Sequence, residues 1–525
     1  MSHRSKVRLR TAAVLAVLAT FTVAALSLPS AGGAAPPGCA NRTNTTYQTL
    51  LECVTLEGVR AHQAAFQAIA DANGGTRAAG TPGYDASVEY VVEQLEDAGL
   101  SVETHQFDFT VTQPIMQLTP APATTHPSGR ITGSPLGTET DAVVAVDINL
   151  TPPRANTSGC DGAFAEAAVG APLTADPTGP DDFAGFPDGA IALIQRGGCS
   201  FALKTANAQT AGADAVIFFN QGDTPARSVV LTNVTAVPPA GSAFTTILIP
   251  LVGASLEAGA ALAQPGTTAT VAVVNDPQTN VIAEIPGKNA NNVVMAGAHL
   301  DSVPAGPGIN DNGSGSAAIL ETALLMAKVK PENTLRFAWW GAEESGLVGS
   351  TAYVRDLSQA ERDRIALYLN YDMVGSPNYV FFVYDGDNSD GVGAPAGPPG
   401  SKEIEDVYEA YYTARGIPYK GTDFSGRSDY GPFIAPGVDI PSGGLFTGAE
   451  GIKTAQEATL WGGTAGQQYD PCYHLACDTF VNNSDNALDV NSDLIAYAQL
   501  TFAFSTESVN GVPGKPVPGS GGFTP

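Results

Sequence analysis

The stretch Asn292-Val-Val-Met-Ala-Gly-Ala-His299-Leu-Asp301 decides how this chain folds: a short apolar run stops at two side chains able to meet a metal. A run of this length reads as a fully buried strand when turn residues bound it. The turn is Gly306-Pro-Gly-Ile-Asn-Asp311-Asn-Gly-Ser-Gly315, and a helical run from Ser316 to Lys328 follows. The unit then recurs. Leu335 to Trp340 leads into Gly-Ala-Glu343-Glu344 and a helix over Leu347 to Leu357; Ile365 to Tyr371 leads into Asp372, with Lys402 to Arg415 as the next helix. Such alternation predicts an α/β fold, with a mixed, mainly parallel central sheet flanked by helices.

In open α/β sheets ligands gather at the carboxyl ends of the strands. His299, Glu343, Glu344 and Asp372 should therefore converge, joined by Asp311 from the glycine-rich turn and His474 from Cys472-Tyr-His-Leu-Ala-Cys477. A two-metal hydrolytic site polarises a carbonyl and generates hydroxide near neutral pH. Histidine and carboxylate donors suit zinc, with a carboxylate bridging the pair. His299, Asp311, Glu344, Asp372 and His474 supply that set, and Glu343 can take a proton as general base. Taken singly, each residue has a plainer role. A lone buried histidine is usually a packed hydrogen-bonding group, Asp311 sits in a turn-forming run, and Glu343-Glu344 could complement a helix dipole. Asp301 could cap a turn or orient a ligating imidazole. Their joint occurrence at strand ends decides, because acids closing the run Phe337-Ala-Trp-Trp would be costly without a cation.

Working outward, residues 1–35 place Arg4, Lys6, Arg8 and Arg10 before an apolar run from Ala12 to Leu26 and a small-residue stretch ending at Ala35. This is the layout of a secretory signal peptide, cleaved between Ala31 and Ala35. The apolar run is about fifteen residues, short of the roughly 20 that span a bilayer. A soluble, secreted, extracellular protein is expected, with no membrane partner. Six cysteines in an oxidising compartment favour disulfides; six allow fifteen pairings, and their order suggests Cys39–Cys53, Cys160–Cys199 and Cys472–Cys477. Among 525 residues, 25 are Lys or Arg against 52 Asp or Glu, and 43% are hydrophobic. So acidic a globular chain lacks a footprint for nucleic acid.

The character changes along the chain. Tyr47 to Leu100 reads as two helices around Ala72-Asn73-Gly74-Gly75, the second near Ala86 to Ala98. Residues 119–275 are rich in Pro, Gly, Thr and Ala with short β runs such as Ala190 to Ile194 and Ala215 to Phe219, and form an inserted, mostly β module. Residues 36–118 and 276–508 make the catalytic domain, with a last helix from Ala487 to Phe504. Residues 509–525 read as a flexible Pro/Gly tail.

Several motifs carry a family resemblance: Gly80-Thr-Pro-Gly-Tyr-Asp-Ala-Ser, His299-Leu-Asp-Ser, Gly308-Ile-Asn-Asp-Asn-Gly-Ser-Gly, Trp340-Gly-Ala-Glu-Glu-Ser-Gly-Leu, Asn370-Tyr-Asp-Met, Gly426-Arg-Ser-Asp-Tyr and Cys472-Tyr-His-Leu-Ala-Cys-Asp. Over nearly all the mature chain the sequence resembles secreted bacterial di-zinc aminopeptidases of the leucine aminopeptidase and aminopeptidase Y type. The resemblance implies two zinc ions per chain: His299 and Asp372 on one, Glu344 and His474 on the other, Asp311 bridging. It implies Glu343 as general base, Tyr473 as donor to the developing oxyanion, and Asp301 holding the His299 ring. Ile191-Ala-Leu-Ile-Gln-Arg-Gly-Gly-Cys-Ser-Phe and Gly212-Ala-Asp-Ala-Val-Ile-Phe-Phe-Asn resemble a protease-associated domain, expected either to roof the active-site mouth and filter substrates or to serve as a structural spacer. Cys160–Cys199 and Cys472–Cys477 fit family usage.

The implied substrates are peptides with a free N-terminus, whose amine would meet Glu343 and Asp372. Met373 and Phe446 would line a pocket for a large apolar first residue or else pack as ordinary core, and Arg427 would contact a carbonyl or carboxylate. A monomer is expected. The acidic surface could take calcium, but no loop is specific enough to name a site. Two rivals remain: a carboxypeptidase or dipeptidase on the same scaffold, and an inactive peptidase-like binding protein, which the complete ligand set disfavours.

Overall fold

A computed structural model describes residues 38–521 except Asn233 and Ala394; the expected signal peptide lies outside the described residues. The core is an eight-stranded sheet in the order Ser101–Phe107, Gln278–Ile285, Asn333–Trp340, Asn289–His299, Ile365–Tyr371, Ser442–Phe446, Phe382–Tyr384, Lys420–Thr422. Four central strands run parallel, from Asn333–Trp340 to Ser442–Phe446. The strands flanking them are antiparallel to their inner neighbours. Strands buried on both faces need no polar alternation, which is why the quoted runs are continuously apolar: Val293 to His299 are all buried.

Helices Leu56–Ala72, Pro82–Asp97, Gly313–Met326 and Asp485–Phe504 close one face in a single large core with Phe66, Tyr84, Leu320 and Phe502. On the other face Val348–Asp356 and Gly431–Ile434 pack around Trp340, Tyr368 and Phe433. Helix Gly313–Met326 starts three residues earlier than the apolar pattern indicates, because the Asn312 side chain accepts the Gly315 N–H and caps it inside the turn. Pro82 likewise opens the second helix ahead of its apolar stripe.

One central strand escaped the sequence pattern. Ser442–Phe446 reads as Ser-Gly-Gly-Leu-Phe, a turn composition, yet it pairs with Tyr368–Tyr371. A Cβ at Gly443 would press on Ile404, and one at Gly444 would strike the Asn370 carbonyl. Glycine here answers close packing, not a loop.

The chain leaves the catalytic sheet at Phe107 and returns at Gln278, and these two strands pair antiparallel from Ser101↔Glu284 to Phe107↔Gln278. Between them lies a ten-stranded sheet with helices Phe201–Thr210 and Leu256–Leu262. It takes in Thr110–Thr112 and Ile115–Thr119, upstream of the change in composition, because both pair with Thr268–Asn275. Three disulfides join Cys39–Cys53, Cys160–Cys199 and Cys472–Cys477. The described part of the stretch expected to be a flexible tail, residues 509–521, is anchored: Lys515 N–H donates to Phe504 O at 2.9 Å and Val517 is buried.

Candidate metal centre

Three neighbouring strands end together, and the residues after them face one cleft. His299 closes its strand with its ring 1% exposed. Its Nδ1 lies 3.1 Å from the Asp301 carbonyl oxygen and 3.6 Å from Asp301 Oδ1. That carboxylate oxygen accepts the Glu343 N–H at 3.1 Å, so Asp301 ties the first strand end to the second. With Nδ1 so engaged, Nε2 points into the cleft, 3.2 Å from Asp311 Oδ1 and 3.3 Å from Asp372 Oδ1.

The other Asp311 oxygen faces a second set. His474 Nε2 lies 3.4 Å from Asp311 Oδ2 and 3.0 Å from Glu344 Oε2. His474 adopts a left-handed φ of 58° inside the Cys472–Cys477 loop, and its ring stacks on Tyr473 with centroids 3.8 Å apart. His299, Asp311 and Asp372 thus form one group of potential ligands, and Asp311, Glu344 and His474 form another. Glu343 belongs to neither, its Oε2 lying 3.9 Å from His299 Nε2.

Electrostatics show what such packing demands. Burial, reinforced by Asp311, pushes the Glu344 carboxyl up to about 8. Burial likewise lifts Glu343 well above the usual carboxylate range, against the pull of His299 and with the push of Asp372 and Asp429. Asp311 moves the other way: burial opposes ionisation, but hydrogen bonds from both histidines hold it well below the ordinary value. Neighbouring carboxylates cannot all ionise in so enclosed a space without a cation. Glu344 Oε1 is buried and has no hydrogen-bond partner. Imidazole and carboxylate donors sharing one bridging acid are a donor set that fits zinc.

The adjoining pocket is lined by Met373, Tyr384, Tyr430, Phe446, Arg427, Glu450 and Tyr473 as well as the acids. Arg427 sits at the rim, paired with Glu450 at 3.2 Å. Burial pushes the Tyr473 phenol far up, with Asp311 and Glu344 adding to it, so it stays a proton donor. The inserted domain reaches this region through Arg130, whose Nη1 donates to Ser345 O at 3.4 Å, and through Phe109 and Val111 against Ala342 and Val348.

Several supporting residues gave little sequence signal. Asp478 accepts the N–H groups of Asn310 and Asp311, both at 2.9 Å. Arg77, wholly buried, donates to Pro307 O at 2.8 Å, to Gly308 O at 2.6 Å and to Leu300 O. Only the Cys-Asp ending of the His474 motif and the glycine-rich turn hinted at these anchors. A separate acidic group, Asp385, Asp387 and Glu405, spends its oxygens on the N–H groups of Gly386, Ser389 and Asp390.

Residues 280–499 match the Peptidase family M28 profile and residues 141–262 match the PA domain. An aminopeptidase of Pseudomonas aeruginosa (strain UCBPP-PA14) is 45% identical over 475 residues, covering 88% of this chain and 83% of its own. The probable lipoprotein aminopeptidase LpqL of Mycobacterium tuberculosis is 42% identical, covering 88% and 87%. Among solved structures, a zinc aminopeptidase from Bacillus subtilis superposes with a TM-score of 0.58 at 24% identity, over 85% of this chain and 94% of that one. An aminopeptidase from Aneurinibacillus sp. strain AM-1 gives 0.51 at 27% identity, over 86% and 95%.

Proposed function

From the premise that this chain belongs to peptidase family M28, carries a PA domain and is a zinc-type metallo-aminopeptidase, we propose that it holds two zinc ions and releases large apolar residues from the N-terminus of peptides. His299 and Asp372 would hold one ion, Glu344 and His474 the other, and Asp311 both. The observation that carries this reading is the splitting of Asp311, one oxygen toward each histidine. Zinc bound there supplies Lewis-acid polarisation of the scissile carbonyl and lowers the pKa of the attacking water.

The chain's own groups do the rest. Glu343 takes the proton of the attacking water and delivers it to the departing amine; its raised proton affinity suits a base working near neutral pH. Tyr473 donates its hydroxyl to the oxygen that gains charge. Asp301 orients the His299 ring and, through the Glu343 N–H, the base as well. The substrate's α-ammonium lies against Glu343 and Asp372, and its first side chain enters between Met373, Tyr384 and Phe446. Arg427 contacts a carbonyl or terminal carboxylate at the rim. Export is supported by the three disulfides, which form and persist in oxidising compartments.

The test pairs metal analysis with two substrates. Zinc near two ions per chain, hydrolysis of leucine p-nitroanilide and resistance of an N-terminally blocked peptide are expected. Cleavage of the blocked peptide from its carboxyl end, with the anilide intact, would establish the carboxypeptidase reading instead.

A further inference from the structure

Four hydrogen bonds link the strands that deliver the metal-facing side chains, and all run in one direction. Trp340 Nε1 donates to Tyr368 Oη at 2.8 Å, and Tyr368 Oη donates to Asn370 Oδ1 at 3.1 Å. Asn370 Nδ2 donates to Ser428 Oγ at 2.9 Å, and Ser428 Oγ donates to Asp372 Oδ2 at 2.7 Å. An indole N–H can only donate. The Tyr368 oxygen must therefore accept from it and spend its single proton on Asn370. That fixes the amide oxygen toward Tyr368 and the amide nitrogen toward Ser428, whose one proton is left for the carboxylate.

The path is enclosed. Trp340, Tyr368 and Asn370 are fully buried and Ser428 nearly so. The Tyr368 ring is stacked on Phe433 at 3.9 Å with planes 2° apart, so it cannot swing away. The third strand makes room: Gly297, two residues before His299 and opposite Asn370, lies under the first bond, and a Cβ there would collide with both Tyr368 Oη and Trp340 Nε1. The strands leading to His299, to Glu343-Glu344 and to Asp372 all take part.

We propose that Trp340, Tyr368 and Asn370 are positioning residues of the metal centre, acting through Ser428 to set the rotation of the Asp372 carboxylate. The inference rests on the reading of Asp372 as a zinc ligand. A carboxylate turned freely about its last bond could offer either oxygen; with Oδ2 held by Ser428, Oδ1 stays 3.3 Å from His299 Nε2. Ser428 alone would not ensure this, because its hydroxyl could turn toward Asn370 if the amide were reversed. The relay keeps the amide in the orientation that forbids it.

The experiment measures zinc affinity by chelator competition, together with kcat and KM, in the full chain. Ser428→Ala is expected to weaken zinc binding about 10–100-fold, the range for partners of metal ligands. Tyr368→Phe keeps the ring and its stacking; it should weaken zinc binding up to about tenfold and lower kcat with KM little changed. The double variant should be no worse than Ser428→Ala, since both act through one path, and Ser428→Thr should restore binding. Wild-type zinc affinity and kcat in Tyr368→Phe overturn the proposal, as do effects that multiply in the double variant. Unchanged zinc binding in Asp372→Ala would remove the ligand reading itself, and the proposal with it.

Discussion

His299 and His474 each present Nε2 to the same acid, Asp311, at 3.2 and 3.4 Å, yet they are held in opposite ways. His299 ends a central strand, is 1% exposed and has its other nitrogen on Asp301. His474 is 39% exposed, sits in a loop with left-handed backbone, and depends on the Cys472–Cys477 bridge and on stacking with Tyr473. One half of the centre draws its rigidity from the sheet. The other draws it from a local crosslink and from Asp470, which accepts the Cys472 N–H at 2.8 Å and is itself held by Asn310 and Asn482. Catalytic groups on loops are usual where a rigid scaffold positions them. Here the two halves meet in one carboxylate, Asp311, and are otherwise held by separate parts of the fold.

The most damaging change should therefore be at the shared residue. On the proposed two-zinc reading, Asp311→Asn is expected to weaken both zinc positions together, leaving below one ion per chain under mild chelation. Losing the polarising metal should lower kcat/KM by on the order of 10³-fold. A variant that keeps one zinc at full affinity would show that the halves are independent. Next comes Glu343, which faces the centre without completing either ligand group. Glu343→Gln should keep both zinc ions and the thermal midpoint while losing about 10²–10⁴-fold in kcat; loss of metal instead would make Glu343 a ligand.

The asymmetry itself is tested at the crosslink. Cys472→Ser combined with Cys477→Ser should weaken only the zinc held by His474 and Glu344, by about tenfold, as when a ligand's support is removed. Stability should fall by about 2 kcal/mol, the value for so short a closed loop. Stepwise zinc release, one ion early and one as in the parent protein, is the expected titration. Equal weakening at both positions would mean that Asp311 passes the disturbance to the sheet-borne half, and no weakening at either that the loop is held by the rest of the fold.

The strand-end residues of both halves were legible because period and chemistry coincide there: apolar runs stop at His299, Glu343-Glu344 and Asp372, and parallel strands bring their ends together. The loop-borne half was legible only through the motif around Cys472, since nothing in spacing alone brings residue 474 to residue 344. What stayed hidden was support. Arg77, Asp478 and Ser428 act through backbone carbonyls, backbone N–H groups and a single hydroxyl, contacts that leave no periodicity. Ser442–Phe446 was hidden for another reason, because its glycines answer neighbouring atoms and not a turn.

The smallest expected effect separates the halves by pH in protein stripped of metal. Burial alone would lower the His474 pKa, but hydrogen bonds to Asp311 and Glu344 outweigh it and raise it from 6.5 to about 10. Burial raises Glu344 from 4.5 to about 8. His299 is raised as well, burial opposing and Asp372 and Glu343 prevailing. Each group binds its proton more tightly folded than unfolded, so the folded state carries more protons and stability falls as pH rises. Glu344's contribution is complete below 4.5 and lost through about 8; that of His474 is complete below 6.5 and lost through about 10. The lowered Asp311 acts in the opposite sense only at strongly acidic pH. Because the His474 ring is partly exposed, solvent screens its share, and the thermal midpoint of stripped protein should drop by roughly a few degrees between pH 6.5 and 9.5. A His474→Gln variant should lose its share of that slope from pH 6.5 upward and keep the remainder, which belongs to Glu344 and His299. Zinc affinity must run the other way, strengthening with pH because ligation needs neutral imidazoles and ionised carboxylates. A midpoint of the stripped protein that rises over the same range would contradict the proton-holding arrangement of both halves.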